Sequence, residues 1–108
     1  MDDIDRLRLY CVDAPELVAD AGSLWHGALD PRTSALVRIG ALIAAAAPAA
    51  SMRSAVEDAV SAGVSVREIV AVLDGMVELV GLPRAVAAAP RIAAALGYAD
   101  DLLPDAGG

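Results

Sequence analysis

Few side chains in this sequence can move protons or electrons near neutral pH. It has one histidine, His26, and one cysteine, Cys11. A single thiol forms no internal disulfide and no Cys-x-x-Cys relay, and one histidine with one cysteine cannot build a zinc site within a chain. Histidine is the usual proton shuttle at this pH, and His26 stands beside Trp25, so it reads either as a site residue or as a surface histidine next to an anchoring tryptophan. The second reading is simpler. Trp25 itself reads first as packing and second as a ligand platform. Arg38 interrupts an otherwise apolar run, where it forms a structural ion pair or binds a substrate carboxylate. Asp74 and Glu78 are spaced to share one helix face, where like charges repel. They could share a proton or supply half a metal site, but with no histidine to complete it, a solvated face explains them more simply. Glu57 and Asp58 read as surface residues, and Met52 and Met76 as flexible gap-fillers.

The elements that must position these groups are all helical. Asp13-Ala-Pro-Glu16 carries a cap and a first-turn proline, which predicts a helix running to about Ala21 and stopping at Gly22. Before it, Ile4, Leu7 and Tyr10 or Cys11 recur at helical spacing, so residues 1–12 form a short helix or an arm. Leu24 to Gly27 reads as a single turn or loop. Asp30-Pro31 starts the next helix, with proline where the missing N–H costs nothing, and the run continues through Ala46 and stops before Pro48. A further helix covers about Ala50 to Ala62, ended by Gly63 in the left-handed position. Ser65 and Glu68 form a capping box. After it Val66, Ile69, Val70, Leu73, Val77 and Val80 fall on one face, and Arg67, Asp74 and Glu78 on the other. Past Gly81, Pro83 opens a last helix, with Val86, Ala89, Ile92, Ala93 and Leu96 inward, Pro90 bending it and Gly97 closing it. Tyr98 to Gly108 reads as a frayed acidic tail. No stretch has the alternation of a strand. The fold class is all-α.

At 108 residues the chain reads as one domain. Its apolar content of 57% with no Phe means a core of Ala, Val, Leu and Ile. Runs such as Ala44 to Ala47, Ala87 to Ala89 and Ala93 to Ala95 let helices approach closely. So much apolar surface in so short a chain calls for burial beyond a monomer's core, and a homo-oligomer is the natural outlet. The formal charge of −7 comes from 15 acidic residues against 8 arginines, with no lysine. That balance argues against nucleic acid and anionic membrane surfaces, which reward clustered positive charge. Residues Ile39 to Ala50 are too short to span a bilayer, and the acidic N-terminus lacks a signal core. The expectation is a cytoplasmic protein, and the alanine-rich, lysine-free composition fits a GC-rich bacterial genome.

Three stretches together resemble one family. Trp25 precedes Ala28-Leu29-Asp30-Pro31-Arg32-Thr33, leading into Leu36-Val37 and an alanine-rich helix. Ala59, Gly63, Ser65, Glu68-Ile69 and Val72-Leu73 follow, and then Gly81-Leu82-Pro83-Arg84-Ala85 with an alanine-rich helix to Leu96. In this order and spacing they resemble the carboxymuconolactone decarboxylase family, which includes the alkylhydroperoxidase D-like thiol enzymes. The match covers about residues 24–97, and the tryptophan and Leu-Asp-Pro-Arg-Thr start are closer to the decarboxylase branch. The resemblance implies a helical fold of about five to six helices, assembly as a trimer or hexamer, and active sites between helices near subunit contacts.

The resemblance also marks what is missing. In the peroxidase-like branch a Cys-x-x-Cys pair precedes a histidine, and a thiolate is activated by a neighbouring base. Counting back from Gly63, the histidine position falls on Ala55 and the cysteine positions on Ser51 and Pro48, while the preceding helix has no acidic residue. Dithiol peroxidase chemistry is therefore not expected. In the decarboxylase-like branch a histidine at Ala55 would transfer protons, and an arginine that helps hold the substrate carboxylate is replaced by Ser34. Arg53 matches a family arginine just before the histidine. Losing a general acid–base group costs about 10²–10⁴-fold in rate, which argues against the parent decarboxylation. The first reading is a protein that binds or converts a small carboxylated or cyclic metabolite in an apolar pocket, by non-redox decarboxylation, lactone rearrangement or cyclisation. Arg53, Arg38, Trp25 and Ser34 would then line the substrate, with His26 at the pocket mouth as the catalytic candidate, and no cofactor or metal. The alternative is a catalytically silent oligomerisation or partner-binding module on the same scaffold.

Overall fold

The computed structural model describes residues 2–15 and 22–102, and among these there are seven helices and no strand. The chain divides into two compact units, Met1–Asp30 and Pro31–Gly108.

In the first unit α1 spans Asp3–Cys11 and α2 spans Ser23–Ala28. Asp2 caps α1 by accepting from the Asp5 N–H at 2.8 Å. The helix closes through the Val12, Asp13 and Ala14 amides, with Asp13 in the left-handed region at φ 51°. Asp13 thus takes part in ending α1, and its short polar side chain tolerates that region. The remainder of the helix expected from there, residues 16–21, lies outside the described residues. The single turn or loop expected at Leu24 to Gly27 is part of a short helix, Ser23–Ala28. Gly22 turns the chain at φ 84° and α2 forms directly after it, one short stretch that tolerates Gly27.

In the second unit α3 (Pro31–Ala44), α4 (Ala49–Ser61), α5 (Val66–Val80) and α6 (Leu82–Ala95) pack together, and α7 (Ala99–Leu102) follows. Helix α3 touches α4, α5 and α6, and α6 likewise touches α3, α4 and α5. It buries Ala35, Ile39 and Ile43, one residue per turn on one stripe. Met52, Ala55, Val56 and Ala59 of α4 face that stripe, with Ile69 and Met76 of α5 and Ala88 and Ile92 of α6. No charged or polar side chain is buried among the described residues. Met52 and Met76 are the gap-fillers the sequence suggests. Tyr98 onward is not wholly frayed, since α7 forms there, and 103–108 lie outside the described residues.

The joints explain the boundaries. Helix α3 ends at Ala44, two residues earlier than expected, because Ala46 turns left-handed at φ 53° ahead of Pro48. The orphan carbonyls of a helix end need donors, and α6 supplies them. Arg84 Nη1 donates to the Ala44 carbonyl and Arg91 Nη1 to the Ala47 carbonyl, both at 2.9 Å. Between α4 and α5 the Gly63 and Val64 amides donate back to Val60 and Ala59 at 3.0 and 2.9 Å. The capping box is present: the Glu68 N–H donates to Ser65 Oγ at 3.1 Å and the Ser65 N–H to Glu68 Oε1 at 3.0 Å. Glu68 also pairs with Arg32, whose Nη1 donates to the Gly63 carbonyl at 3.2 Å. One polar knot therefore ties the start of α3 to the α4–α5 turn.

Gly63 holds φ 87°, and an added Cβ would meet nothing within 4 Å. The cost of a side chain there is then purely backbone. Gly63→Val is expected to lower stability by about 1–2 kcal/mol, the cost of the left-handed region for an L-residue. An unchanged urea midpoint would mean that this turn does not hold the conformation described.

The apolar faces of α5 and α6 differ from the simple expectation. In α5 the core takes Ile69 and Met76, while Val66, Val70 and Val77 are 42%, 50% and 36% exposed. In α6 it takes Ala85, Ala88 and Ile92, while Val86 is 59% exposed rather than inward. The physical reason is that each helix is apolar over more than one face, and a periodicity shared by two faces does not say which is covered. Pro90 lies inside α6 without ending it.

Candidate functional site

Each sequence-derived candidate has a definite place. Trp25 and His26 are both exposed on α2. Trp25 joins Asp3, Arg6, Leu7, Tyr10 and Leu24 around a groove of about 460 Å³ in the first unit, where Arg6 Nη2 donates to Ser23 Oγ at 3.2 Å. His26 is not among the residues that line it. Ser34 Oγ donates to the Pro31 carbonyl at 3.2 Å, a local bond of the first turn of α3. Arg38 Nη1 pairs with Asp58 Oδ2 at 2.7 Å and Nη2 reaches Ser54 Oγ at 3.4 Å. Of its two readings, the ion pair between α3 and α4 is the one present. Arg53 is exposed on α4. Ser34, Arg38 and Arg53 line none of the grooves described for the second unit. Cys11, Asp74 and Glu78 are exposed.

The position that the resemblance gives to a proton-transferring histidine is Ala55, 1% exposed within the apolar core. Ser51 is half-buried and Pro48 is the residue before α4. Arg53 lies two residues from Ala55, which turns it about 200° around the helix. Accordingly one is buried and the other is in solvent. Within one chain they do not converge on a single cavity.

What the structure does assemble is an apolar belt that spacing alone did not separate from the core. A groove of about 610 Å³ runs between α5 and α6, walled by Val66, Val70, Leu73, Val86, Ala89 and Leu96 among others. A smaller one of about 250 Å³ shares Val70, Leu73, Val86 and Ala89 and extends to Val77 and Leu82. A third of about 440 Å³ shares Val66 and Leu96 and continues to Val60 on α4. Leu82, Val60 and Leu102 at its margins are 59%, 52% and 67% exposed. The signal available in the sequence was excess: α5 carries more large apolar residues than one core stripe can take.

This helical arrangement, with its glycine-closed turn, Ser-x-x-Glu cap and Gly-Leu-Pro-Arg helix start, is that of a small all-α scaffold whose site positions are read from α4. The model of the carboxymuconolactone decarboxylase family matches residues 17–101, and the chain belongs to that family. No curated protein and no solved structure matches it. No helix among the described residues is long and apolar enough to cross a membrane.

Proposed function

We propose that this protein is a catalytically silent member of its family, in which the scaffold serves docking through the outer face of α5 and α6. The observation that carries this reading is the exposed belt of Val66, Val70, Val77, Leu82 and Val86. Large side chains of this kind each gain about 1.5–3 kcal/mol when fully covered, so a contiguous set of them favours a partner. The interior supports the same reading from the other side. Ala55 is packed among apolar neighbours, and the arginines suited to a carboxylate are spent on an ion pair or lie in solvent.

The metabolite-binding reading retains one specific observation in its favour, the size of the α5–α6 groove. About 610 Å³ lies within the range of small-molecule sites, roughly 300–1,000 Å³. Its walls offer shape but no cation to hold an acid. A thermal-shift screen with small carboxylic acids and lactones separates the two readings. The docking reading expects no saturable shift. A saturable shift of several degrees, lost in Val70→Asp, would overturn it and assign the groove to a small molecule.

A further inference from the structure

The first unit holds a groove of about 460 Å³ that docking through α5 and α6 leaves unused. Asp3, Arg6, Leu7 and Tyr10 line it from α1, where steps of three and four residues put them on one helix face. Leu24 and Trp25 line it from α2. Small-molecule sites span roughly 300–1,000 Å³, so the groove has room for one organic molecule. Two of the chain's three aromatic side chains, Tyr10 and Trp25, stand in its walls, and both are exposed.

Charge decides the class of ligand. Residues 1–30 carry the acids Asp2, Asp3, Asp5, Asp13, Glu16, Asp20 and Asp30 against only Arg6 and Arg8, a net −5 out of the whole chain's −7. Arg8 is paired with Asp5 at 2.9 Å. Arg6 is the lining group that would suit an anion, but its Nη2 donates to Ser23 Oγ, which ties it to the start of α2. The Asp3 side chain has no hydrogen bond or ion pair among the described residues. A quaternary ammonium matches this combination, because it spreads a positive charge over an apolar body. Indole and phenol rings attract such a cation over their faces, and a negative surface raises its local concentration. An organic acid would enter the same walls against the field of the unit.

We propose that the groove lined by α1 and α2 binds an organic cation of the quaternary-ammonium class, with Trp25 and Tyr10 as its aromatic walls and Asp3 as its counter-charge. This site does not depend on the α5–α6 face, and the failure of either reading leaves the other standing.

Trp25 is the chain's one tryptophan, so its fluorescence reports on this groove. The full chain is titrated with benzyltrimethylammonium, and with phenylacetate as an anion carrying the same benzyl group. The cation is expected to change the emission saturably in the millimolar range, and phenylacetate to give no saturable change. Tyr10→Leu, which keeps an apolar wall but removes the ring, should weaken cation binding about 2–5-fold. Asp3→Asn should weaken it by about 2–5-fold as well, and added salt should weaken it in the wild type. Glu78→Gln removes one exposed charge from α5 and should leave the affinity unchanged. Circular dichroism confirms that the variants, all at exposed positions, remain folded. Absence of a saturable response to the cation overturns the proposal, and so does phenylacetate binding as tightly. Affinity indifferent to both Tyr10→Leu and Asp3→Asn overturns it too, and a loss in Glu78→Gln equal to that in Asp3→Asn removes Asp3 as the counter-charge.

Discussion

Ile39→Ala is expected to lower the free energy of unfolding by about 2–5 kcal/mol, the range for emptying a large apolar site. A small domain has only about 5–15 kcal/mol in total, so the variant should lose much of its margin. Three features place this substitution near the upper part of the range. Ile39 is fully buried at the middle of α3, the helix that contacts α4, α5 and α6. The core around it is rich in alanine, with Ala35, Ala55, Ala59 and Ala88 among the buried set. Alanine has no rotamer with which to fill a void, and a helix held at both ends by arginine contacts cannot easily collapse into one. Val37 on the same helix is 48% exposed and provides the control. Val37→Ala should move stability by about 0.5 kcal/mol or less. Urea unfolding at one fixed protein concentration measures both, since association would otherwise add a concentration-dependent term. Equal effects of the two substitutions would show that α3 does not turn Ile39 inward and Val37 outward.

The same contrast shows how far the sequence could be read. The α4–α5 joint was fully legible. Gly63, Ser65 and Glu68 are local signals whose meaning depends only on the few residues around them, and the left-handed turn and capping box follow. The end of α3 was legible to within two residues, because Pro48 announces a stop but the left-handed Ala46 that makes the turn has no chemical signature. Alanine is the last residue to expect there. Nor could the sequence show that Arg84 and Arg91 would reach the carbonyls at that turn, contacts that cross about 40 residues of chain. The faces of α5 and α6 were legible as apolar and illegible as inner or outer. In α5, Val70 and Met76 look equally suited to a core, and only the position of α3 decides that Met76 is covered. For the site, Arg38 left an ion pair and a carboxylate contact both open, and Asp58 as its ion-pair partner requires knowing that α3 lies along α4. The family resemblance assigned Ala55 its position, and burial then gave that position its physical meaning.

That meaning leads to the second large effect. Ala55→His, which restores the residue type that the resemblance expects for proton transfer, is expected to destabilise the protein by about 2–6 kcal/mol. Two costs combine. An imidazole forced into a filled core overpacks it, typically at about 1–3 kcal/mol. Its two ring nitrogens would then lie where no polar side chain is buried among the described residues. A buried group left without a partner costs about 1–3 kcal/mol more. The core around the site, which includes Ile39, Ile43, Met52, Val56 and Ala59, gives the ring neither space nor a hydrogen-bond acceptor. Arg53, which a revived site would need for a substrate carboxylate, points away into solvent from the same helix. The variant should therefore melt well below the parent and show no decarboxylation of small carboxylated lactones. The informative control is Ala55→Ser, which adds one atom and can satisfy its hydroxyl against the preceding turn of α4, and which should cost markedly less. A histidine variant as stable as the parent, with an imidazole that titrates freely by NMR, would mean that space and water reach this position. The scaffold would then be a working pocket that lacks one residue, and the docking reading would lose its physical basis.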